Sequence, residues 1–462
     1  MTSLHVGDTR TVESVVDDAA IEKLKASVRG QVLRPVDPTY DDARKIWNGM
    51  IDRRPAVIVK CSGVADVIEA VNFARDQQLR LAVRGGSHSA AGHAMCDGGL
   101  VIDLCGLKAV RIDQRLRTAI AQGGLTWGEF DRETQALGLA TTGGTVTNTG
   151  IGGLTLGGGL GWLMGKHAFA CDNVLSADLV TADGKLITAS ADEHPDLLWA
   201  LKGGGGNFGV VTAFEFQLHE VGPTVLGGMV LYPRAASKDV LRFYREYCST
   251  LPDEAEAFAA LLTSPDGDPL IAMLLGYTGD LAQGERVLAP ARQFGSPIAD
   301  LVSPMPYVQR QTLIDDLGVY GIRRYWKSGF MPELSDDALD LIIDRAASMT
   351  SPMSVVGLFY VHGAAARVDP TATAFGQRGA KWDFSIISQW TDSSLDDEQV
   401  RWTRSFWNDA EPYATGVYLN HIAADEPGRV HSAYGPNYDR LLAVKRQYDP
   451  ANLFRLNHNI AP

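Results

Sequence analysis

The chain lacks both a basic surface and a long apolar segment. Lys and Arg number 42 against 55 Asp and Glu, which gives a formal net charge of −13. Nucleic-acid binding needs clustered Lys and Arg that release counterions, and the sequence has no such cluster. No apolar run approaches the roughly 20 residues that span a bilayer. We therefore expect neither a nucleic-acid partner nor a membrane segment.

Cysteine is scarce, and its spacing fits neither a disulfide framework nor a metal site. The cysteines are odd in number and irregularly spaced, and they are Cys61, Cys96, Cys105, Cys171 and Cys248. His93 and Cys96 have a ligand-like separation, but no second Cys/His pair follows, so no metal is expected. The first eight residues lack the charged-then-apolar layout of a secretion signal. These absences favour a cytoplasmic location.

Glycine, by contrast, is abundant and unevenly placed. It accounts for 48 of the 462 residues, above the usual share of about 7%. The excess lies in three blocks, 85–99, 143–161 and 203–209. Glycine lets backbone N–H groups approach an anion closely. Three separate blocks indicate one extended ligand held in a cleft, and FAD fits that description better than a mononucleotide does.

The same blocks disfavour NAD. A dinucleotide-binding turn of the Rossmann type needs G-x-G-x-x-G opening a helix, with an acidic residue about 20 positions later. The segment 157–161 is predicted to be a loop on both sides and lacks that spacing. The glycine blocks therefore predict a different kind of dinucleotide site.

The most informative turn follows a predicted β-α-β unit. Apolar patterns predict a strand at 56–60, a helix at 64–78 and a strand at 81–83. The last strand leads into Arg84-Gly85-Gly86-Ser87-His88, and open α/β sheets bind ligands at this end of a strand. Arg84 to Ser87 therefore indicate a diphosphate cradle, with the nucleophilic ring of His88 at its exit. Further strands are predicted at 100–104, 109–112, 118–121, 174–181, 185–188 and 210–218, and helices at 126–137 and 196–202.

Near Pro223 the pattern changes to longer helices and apolar strands. Helices are predicted at 237–247, 281–293, 335–349 and 437–447, and strands at 225–231, 270–277, 354–361 and 383–390. Residues 222–411 are therefore expected to form an antiparallel sheet backed by helices. The segment 412–462 is too short for a core of its own and is expected to pack on the first domain, 1–221. The fold class predicted is α+β with two domains.

Several motifs together resemble one family. They are VRGGSHSAAG at 83–92, CDGGLVIDL at 96–104, GIGGLTLGGGLGW at 150–162, DN at 172–173, LWALKGGGGNFGVV at 198–211, YGPNY at 434–438 and YDPANLFRLN at 448–457. In these segments the chain resembles the flavin oxidases of the vanillyl-alcohol oxidase and p-cresol methylhydroxylase (PCMH) superfamily, and most closely its berberine-bridge-enzyme-like branch. The resemblance implies a PCMH-type FAD-binding fold with a separate substrate domain.

The resemblance also implies a covalent cofactor. His88 would be bonded to the 8α-methyl group of FAD. Many relatives have a second bond, from a cysteine about a dozen residues before the G-G-G-x-G element, but Val146 stands in that place. A single link through His88 is therefore expected, with no cysteinyl link. The other cofactor-binding residues implied are Arg84, Gly85, Gly86, Ser87, Ser89, Gly92, Gly152, Gly153, Gly158, Gly159, Gly161, Asn207, Gly209, Val211, Asn457 and Asn459.

The catalytic base is left open between two readings. Where the family has Y-x-N-Y, this chain has Tyr418-Leu419-Asn420-His421. His421 either acts as the base, since an ordinary histidine is neutral at pH 7, or only hydrogen-bonds a neighbouring carbonyl. Tyr418 and Asn420 of this motif are further catalytic candidates, as is Tyr325, which lies in a segment that approaches the flavin edge in relatives. The stretch 363–369, where plant relatives carry a glutamate, offers none.

The function expected is two-electron oxidation of a small organic molecule. A hydride would leave a C–H next to OH or NH of an alcohol, sugar, amine or natural-product intermediate, and O2 would reoxidise the flavin to give H2O2. Three alternatives stay open: a dehydrogenase with a non-oxygen acceptor, an oxidative cyclase of natural-product biosynthesis, and a binding or structural role with an inert flavin. The sequence does not decide between a monomer and a homodimer.

Overall fold

The computed structural model describes residues 17–462, so the prediction about the first eight residues lies outside them. Its first sheet has the strand order Gln31–Leu33, Val57–Lys60, Leu100–Asp103 and Leu81–Arg84. The last three strands are parallel, and the helix Val64–Asp76 connects two of them. The predicted β-α-β unit is confirmed, with Leu100–Asp103 lying between its two strands.

A second, antiparallel sheet completes the N-terminal half. Its strand order is Val110–Asp113, Thr118–Gln122, Val210–Gln217, Val174–Val180 and Leu186–Ala189. A short ribbon pairs His219–Glu220 with Leu139–Ala140. The helix Trp127–Gln135 begins at a capping box of Thr126 and Glu129, which satisfies the free N–H groups of its first turn. The other helices of this half are Asp18–Ser27, Tyr40–Ala43, Ile151–Leu156, Met164–His167 and Pro195–Leu201.

The third sheet is antiparallel and eight-stranded. Its strands, in spatial order, are Ala299–Asp300, Thr224–Pro233, Pro269–Tyr277, Ala255–Thr263, Val355–Tyr360, Trp382–Trp390 and Arg323–Met331, with Ser303–Pro306 also paired to the second of these. One face packs against the helices Ser237–Cys248, Leu281–Arg292, Asp336–Ala347 and Asp396–Ala410. The opposite face, through Phe258, Phe330 and Phe359, packs on Leu160 and Trp162 of the N-terminal half. The predicted α+β, two-domain fold is confirmed.

The C-terminal segment packs with the N-terminal half. Its helices are Val430–Tyr434 and Tyr438–Tyr448, and Leu441, Val444 and Ile460 share a core with the second sheet. The buried Lys445 ammonium donates to Asp449 and to two backbone carbonyls. The domain limits 1–221, 222–411 and 412–462 stay predictions.

Several elements of the structure were not predicted from the sequence. Ala255–Thr263 and Arg323–Met331 are strands, and Asp396–Ala410 is a helix, but none of them was predicted. The first is rich in alanine and the second begins with two arginines, so neither shows the β-branched pattern of a strand. The glycine segment 157–161 was expected to be a loop on both sides; instead, the helix Ile151–Leu156 ends directly before it.

Candidate active site

A cavity of about 360 Å³ lies between the two N-terminal sheets and the third sheet. It brings together thirteen of the residues predicted from the sequence. They are Gly85, Gly86, Ser87, His88, Ser89, Gly152, Gly153, Gly209, Val211, Tyr418, Asn420, His421 and Asn457. Residues distant in the sequence thus line one space, as a single extended ligand requires.

The glycine turn before His88 is shaped by a close approach of two backbones. A Cβ on Gly86 would collide with the backbone of Gly150, and a Cβ on Gly150 would collide with that of Gly86. Ser87 adopts a φ of 61°, in the left-handed region that is uncommon for residues with a side chain. The turn therefore aims the next residue, His88, into the cavity.

The His88 side chain is half-buried and contacts three neighbours. It stacks on Trp47 with centroids 4.9 Å apart and planes at 15°, and Tyr320 meets it edge-on at 5.7 Å. Thr149 Oγ1 lies 3.3 Å from Nδ1, while Nε2 is buried without a partner. Burial, and then the charge of Arg324, lower the pKa of His88 to about 3. The ring is neutral at physiological pH, and its Nε2 has no hydrogen-bond partner within the protein.

The residues present fit FAD. The Oγ of Ser87, the Nε2 of His88 and the Oδ1 of Asn457 are buried at the cavity and have no hydrogen-bond partner. Buried polar atoms are nearly always paired, so these three indicate a polar ligand. Gly205 and Gly206 also line the cavity. A Cβ added to either would have at least 3.3 Å of clearance, so their backbones leave free space beside them.

Two further histidines, which the sequence did not identify as site residues, line the same cavity. His93 and His458 meet edge to face at 5.0 Å. Burial lowers the pKa of His93 to about 3 and that of His458 to about 4. Both rings are therefore neutral at physiological pH. In the sequence, only the motif around Asn457 had indicated that His458 lies near the cofactor.

Tyr418 and Asn420 are fixed by each other. The Tyr418 oxygen accepts hydrogen bonds from the Gly159 amide at 2.9 Å, the Leu160 amide at 3.3 Å and Asn420 Nδ2 at 2.7 Å. Asn420 also donates to the Leu154 carbonyl. Burial raises the pKa of Tyr418, so this phenol keeps its proton. Tyr418 therefore shapes the cavity rather than accepting a proton in it.

His421 lies beside a carboxylate that the sequence did not identify. Its Nδ1 is 3.5 Å from Oδ2 of Asp383 and 3.5 Å from the Ser385 hydroxyl. The ring stacks on Trp326 with centroids 4.3 Å apart. The side chain of Asp383 is 5% exposed, and its Oδ1 has no partner. The signal that was available is that Asp383 is the one charged residue of the buried strand Trp382–Trp390.

The remaining predicted residues lie outside the cavity wall. Arg84 donates to the Ala43 carbonyl, Gly92 packs against Ile51, and Asn207 bonds the carbonyls of Gly204 and His458. The others that are absent from the cavity wall are Gly158, Gly159, Gly161 and Asn459. Their contacts support the backbone around the cavity.

Tyr325 points away from the cavity. Its hydroxyl donates to Asp425 at 2.6 Å and accepts from Arg404 at 2.9 Å. Successive side chains of a strand face opposite sides of the sheet, and it is the next residue, Trp326, that lines the cavity. The structure therefore places Trp326, not Tyr325, next to His421.

Val146 lines the cavity at the position where relatives have a cysteine. Within the described chain, none of the five cysteines lines the cavity, and all five are unpaired. Residues 17–462 contain no group of three His, Cys, Asp or Glu arranged to hold a metal. Every helix in that range is too short or too polar to cross a membrane.

The sequence matches two family descriptions. Residues 55–190 match "FAD binding domain", and residues 417–461 match "Berberine and berberine like". An FAD-linked oxidoreductase of Dictyostelium discoideum is 32% identical over 94% of this chain and 95% of its own length. The (R)-6-hydroxynicotine oxidase of Paenarthrobacter nicotinovorans is 30% identical over 94% of this chain and 97% of its own.

Solved structures show the same fold. The crystal structure of 6-hydroxy-D-nicotine oxidase from Arthrobacter nicotinovorans has a TM-score of 0.87 and 29% identity, and covers 94% of this chain and 98% of that one. The Physcomitrella patens berberine-bridge-enzyme-like protein 1 has a TM-score of 0.87 at 23% identity, and covers 96% and 99%. With its cavity, its two matched segments and these relatives, the chain belongs to the FAD-linked oxidoreductases of the vanillyl-alcohol oxidase superfamily, in the berberine-bridge-enzyme-like branch.

Proposed function

We propose that this FAD-linked oxidoreductase is an oxidase whose flavin is tethered through His88. Its substrate is a small organic molecule that loses a hydride from a C–H next to OH or NH. Molecular oxygen then takes the two electrons and leaves as H2O2. The name of its relative, (R)-6-hydroxynicotine oxidase, supports both the oxidase chemistry and the substrate class.

The observation that carries the proposal is the pairing of His421 with Asp383 in the same cavity as His88. A proton on Nδ1 of His421, facing the Asp383 carboxylate 3.5 Å away, leaves Nε2 as an acceptor. A base oriented by a carboxylate is the arrangement that general-base catalysis uses. His421 thus accepts the proton of the substrate OH or NH, and Asp383 stabilises the positive charge that results.

The chemistry divides between the cofactor and the protein. FAD, when bound, supplies the hydride acceptor. The chain supplies the tether at His88, the base at His421 and a wall that excludes water. The three unpartnered polar atoms of Ser87, His88 and Asn457 are the groups that would hold the cofactor.

Apolar side chains form much of the cavity wall around the polar group of His421, Asp383 and Ser385. Phe258, Ile314, Leu317, Trp326 and Phe359 contribute to it. Such a surface favours a substrate with an apolar or aromatic body and one polar group, because each buried polar group without a partner is costly. We therefore place alcohols and amines with an apolar skeleton ahead of sugars.

Oxygen uptake tests the proposal directly. The purified holoenzyme is mixed with a panel of apolar alcohols, cyclic amines and sugars, without an added acceptor, and H2O2 is measured. Anaerobic bleaching of the flavin identifies substrates independently of oxygen. Bleaching without H2O2 production in air would show a dehydrogenase, and bleaching by any compound of the panel would exclude an inert flavin. Mass measurement after denaturation, compared with His88→Ala, tests the tether.

A further inference from the structure

Arg324 is a buried arginine that has no carboxylate partner. It is 2% exposed, and no Asp or Glu among the described residues lies within 4 Å of its side-chain nitrogens. Its side chain donates instead to the Gln389 amide oxygen and to the carbonyls of Trp47, Leu317, Val319 and Ile322. Burial lowers its pKa only to about 10. The guanidinium is therefore charged, and nearby backbone replaces its hydration.

The same guanidinium contacts the ring on which His88 stacks. Its Cζ lies 4.0 Å from the centroid of the Trp47 ring, and it donates to the Trp47 carbonyl at 3.1 Å. A cation over an indole is an attractive contact. Trp47 in turn stacks on His88 at 15°. Arg324 thus fixes Trp47 by its backbone and by its ring.

Arg324 also holds the second ring that contacts His88. Three of its hydrogen bonds go to carbonyls at positions 317, 319 and 322, on both sides of Tyr320. The Tyr320 hydroxyl donates to the Gly86 carbonyl, and its ring meets His88 edge-on. Both aromatic contacts of His88 therefore depend on one side chain.

Formation of the tether needs a neutral, correctly oriented imidazole. A protonated ring has no lone pair to form the bond. A mobile ring loses conformational entropy when it is oriented for the reaction, which raises the barrier. Arg324 lies close enough to His88 for its positive charge to lower the pKa of that ring. The orientation comes from Trp47, Tyr320 and Thr149.

We propose that Arg324 is a positioning residue for covalent attachment of the flavin to His88, acting through Trp47 and the 317–322 segment. This inference rests on the tether in the proposed function. In the step, the N–C bond forms from the imidazole lone pair to the 8α carbon, and a C–H bond of that methyl group breaks. The electron pair enters the flavin; O2 then takes two electrons and, with the protons from the methyl group and the imidazole N–H, leaves as H2O2.

The test compares Arg324→Met and Arg324→Lys with wild type. Arg234 gives the control, because its side chain also donates to backbone carbonyls, three against the four of Arg324, but has no contact with His88. Each protein is purified, its total bound flavin is read from absorbance, and the fraction that stays with the chain after acid precipitation is measured. We expect Arg324→Met to bind FAD and to lose at least five-fold in the covalent fraction, while Arg234→Met matches wild type.

A second measurement distinguishes the loss of His88 orientation from a general loss of folding. Both Arg324 variants are incubated with excess FAD at pH 6, 7 and 8, and the adduct is followed over time by mass. Burial, the larger cause of the low pKa of His88, remains in Arg324→Met, so adduct formation in this variant is expected to be slower than in wild type by a similar factor at all three pH values. Arg324→Lys keeps a cation against the Trp47 ring and is expected to recover part of the rate.

The outcomes are distinct. No covalent flavin in wild type would refute the tether and so the proposed function. Two other outcomes would overturn the role of Arg324 and leave the tether standing. The first is a covalent fraction of flavin in Arg324→Met equal to that of wild type. The second is a loss of covalent flavin in Arg234→Met as large as that in Arg324→Met. If Arg324→Met does not fold, as judged by thermal melting, Trp47→Leu replaces it. An undiminished adduct in that variant would overturn the inference.

Discussion

The imidazole of His421 lies between the indole of Trp326 and the carboxylate of Asp383. Trp326 stacks on its face at 4.3 Å, and Asp383 Oδ2 is 3.5 Å from its Nδ1. The strands Arg323–Met331 and Trp382–Trp390, which are adjacent in the third sheet, supply these two contacts. The third sheet thus orients the ring of His421, although the backbone of His421 belongs to the C-terminal segment.

Asp383→Asn is expected to slow flavin reduction by about 100-fold or more, the usual contribution of a positioned base. The amide neither favours the Nδ1–H form of His421 nor stabilises the protonated ring. Stopped-flow anaerobic reduction with a substrate from the panel measures this rate. Ser385→Ala, which changes the other neighbour of Nδ1, is the control and should lose less than about ten-fold. An unchanged rate in Asp383→Asn would remove Asp383 from the mechanism.

Val146→Cys is expected to create a second tether, because relatives carry a cysteine at this position and the side chain already lines the cavity. The change in side-chain volume is small, so little stability should be lost. The decisive variant is His88→Ala combined with Val146→Cys. Flavin that stays with this protein after denaturation would confirm the prediction, and complete release of flavin would contradict it.

The buried histidines predict that stability falls with acid. The folded-state pKa of His93 is about 3, below the ordinary value near 6.5. As pH falls below 6.5, the unfolded chain takes up a proton that the folded chain does not, so the free energy of unfolding decreases. Between pH 6.5 and 5, one such histidine contributes up to about 2 kcal/mol.

Urea unfolding of the holoprotein at these two pH values checks this effect. His93→Phe keeps a ring against His458 and removes the titration. Its loss of stability between pH 6.5 and 5 should be smaller than that of wild type by up to about 2 kcal/mol. An equal loss in both proteins would show that His93 binds a proton in the folded state.

Asp449→Ala is expected to destabilise the fold by about 3–5 kcal/mol, since it leaves the Lys445 ammonium buried without its counter-ion. Both side chains are fully buried, and Asp449 also accepts from the amides of Leu453 and Phe454. Thermal or denaturant unfolding measures the loss. The replacement of both residues by apolar ones should recover part of it; a double variant no more stable than Asp449→Ala would argue against the charge explanation.

The cavity lining around His88 was largely predictable from the sequence, and the lining from the third sheet was not. His88 follows a short apolar strand and glycines whose spacing allows close backbone approach, and both signals are local. Asp383 was in a predicted strand, but which strand faces the cavity depends on the order of an eight-stranded sheet. Tyr325 and Trp326 show the same limit, because one residue of register decides which side chain enters the cavity.

The wall of the cavity is completed late in the chain. Trp47 is among its first members, and Asn457 and His458 are among its last, so more than four hundred residues separate the two ends of one binding site. During synthesis the glycine turn and His88 emerge long before the tail that faces them. The complete site therefore exists only after residue 458 has left the ribosome and docked, so cofactor capture in its final geometry follows the docking of that segment against the glycine turn.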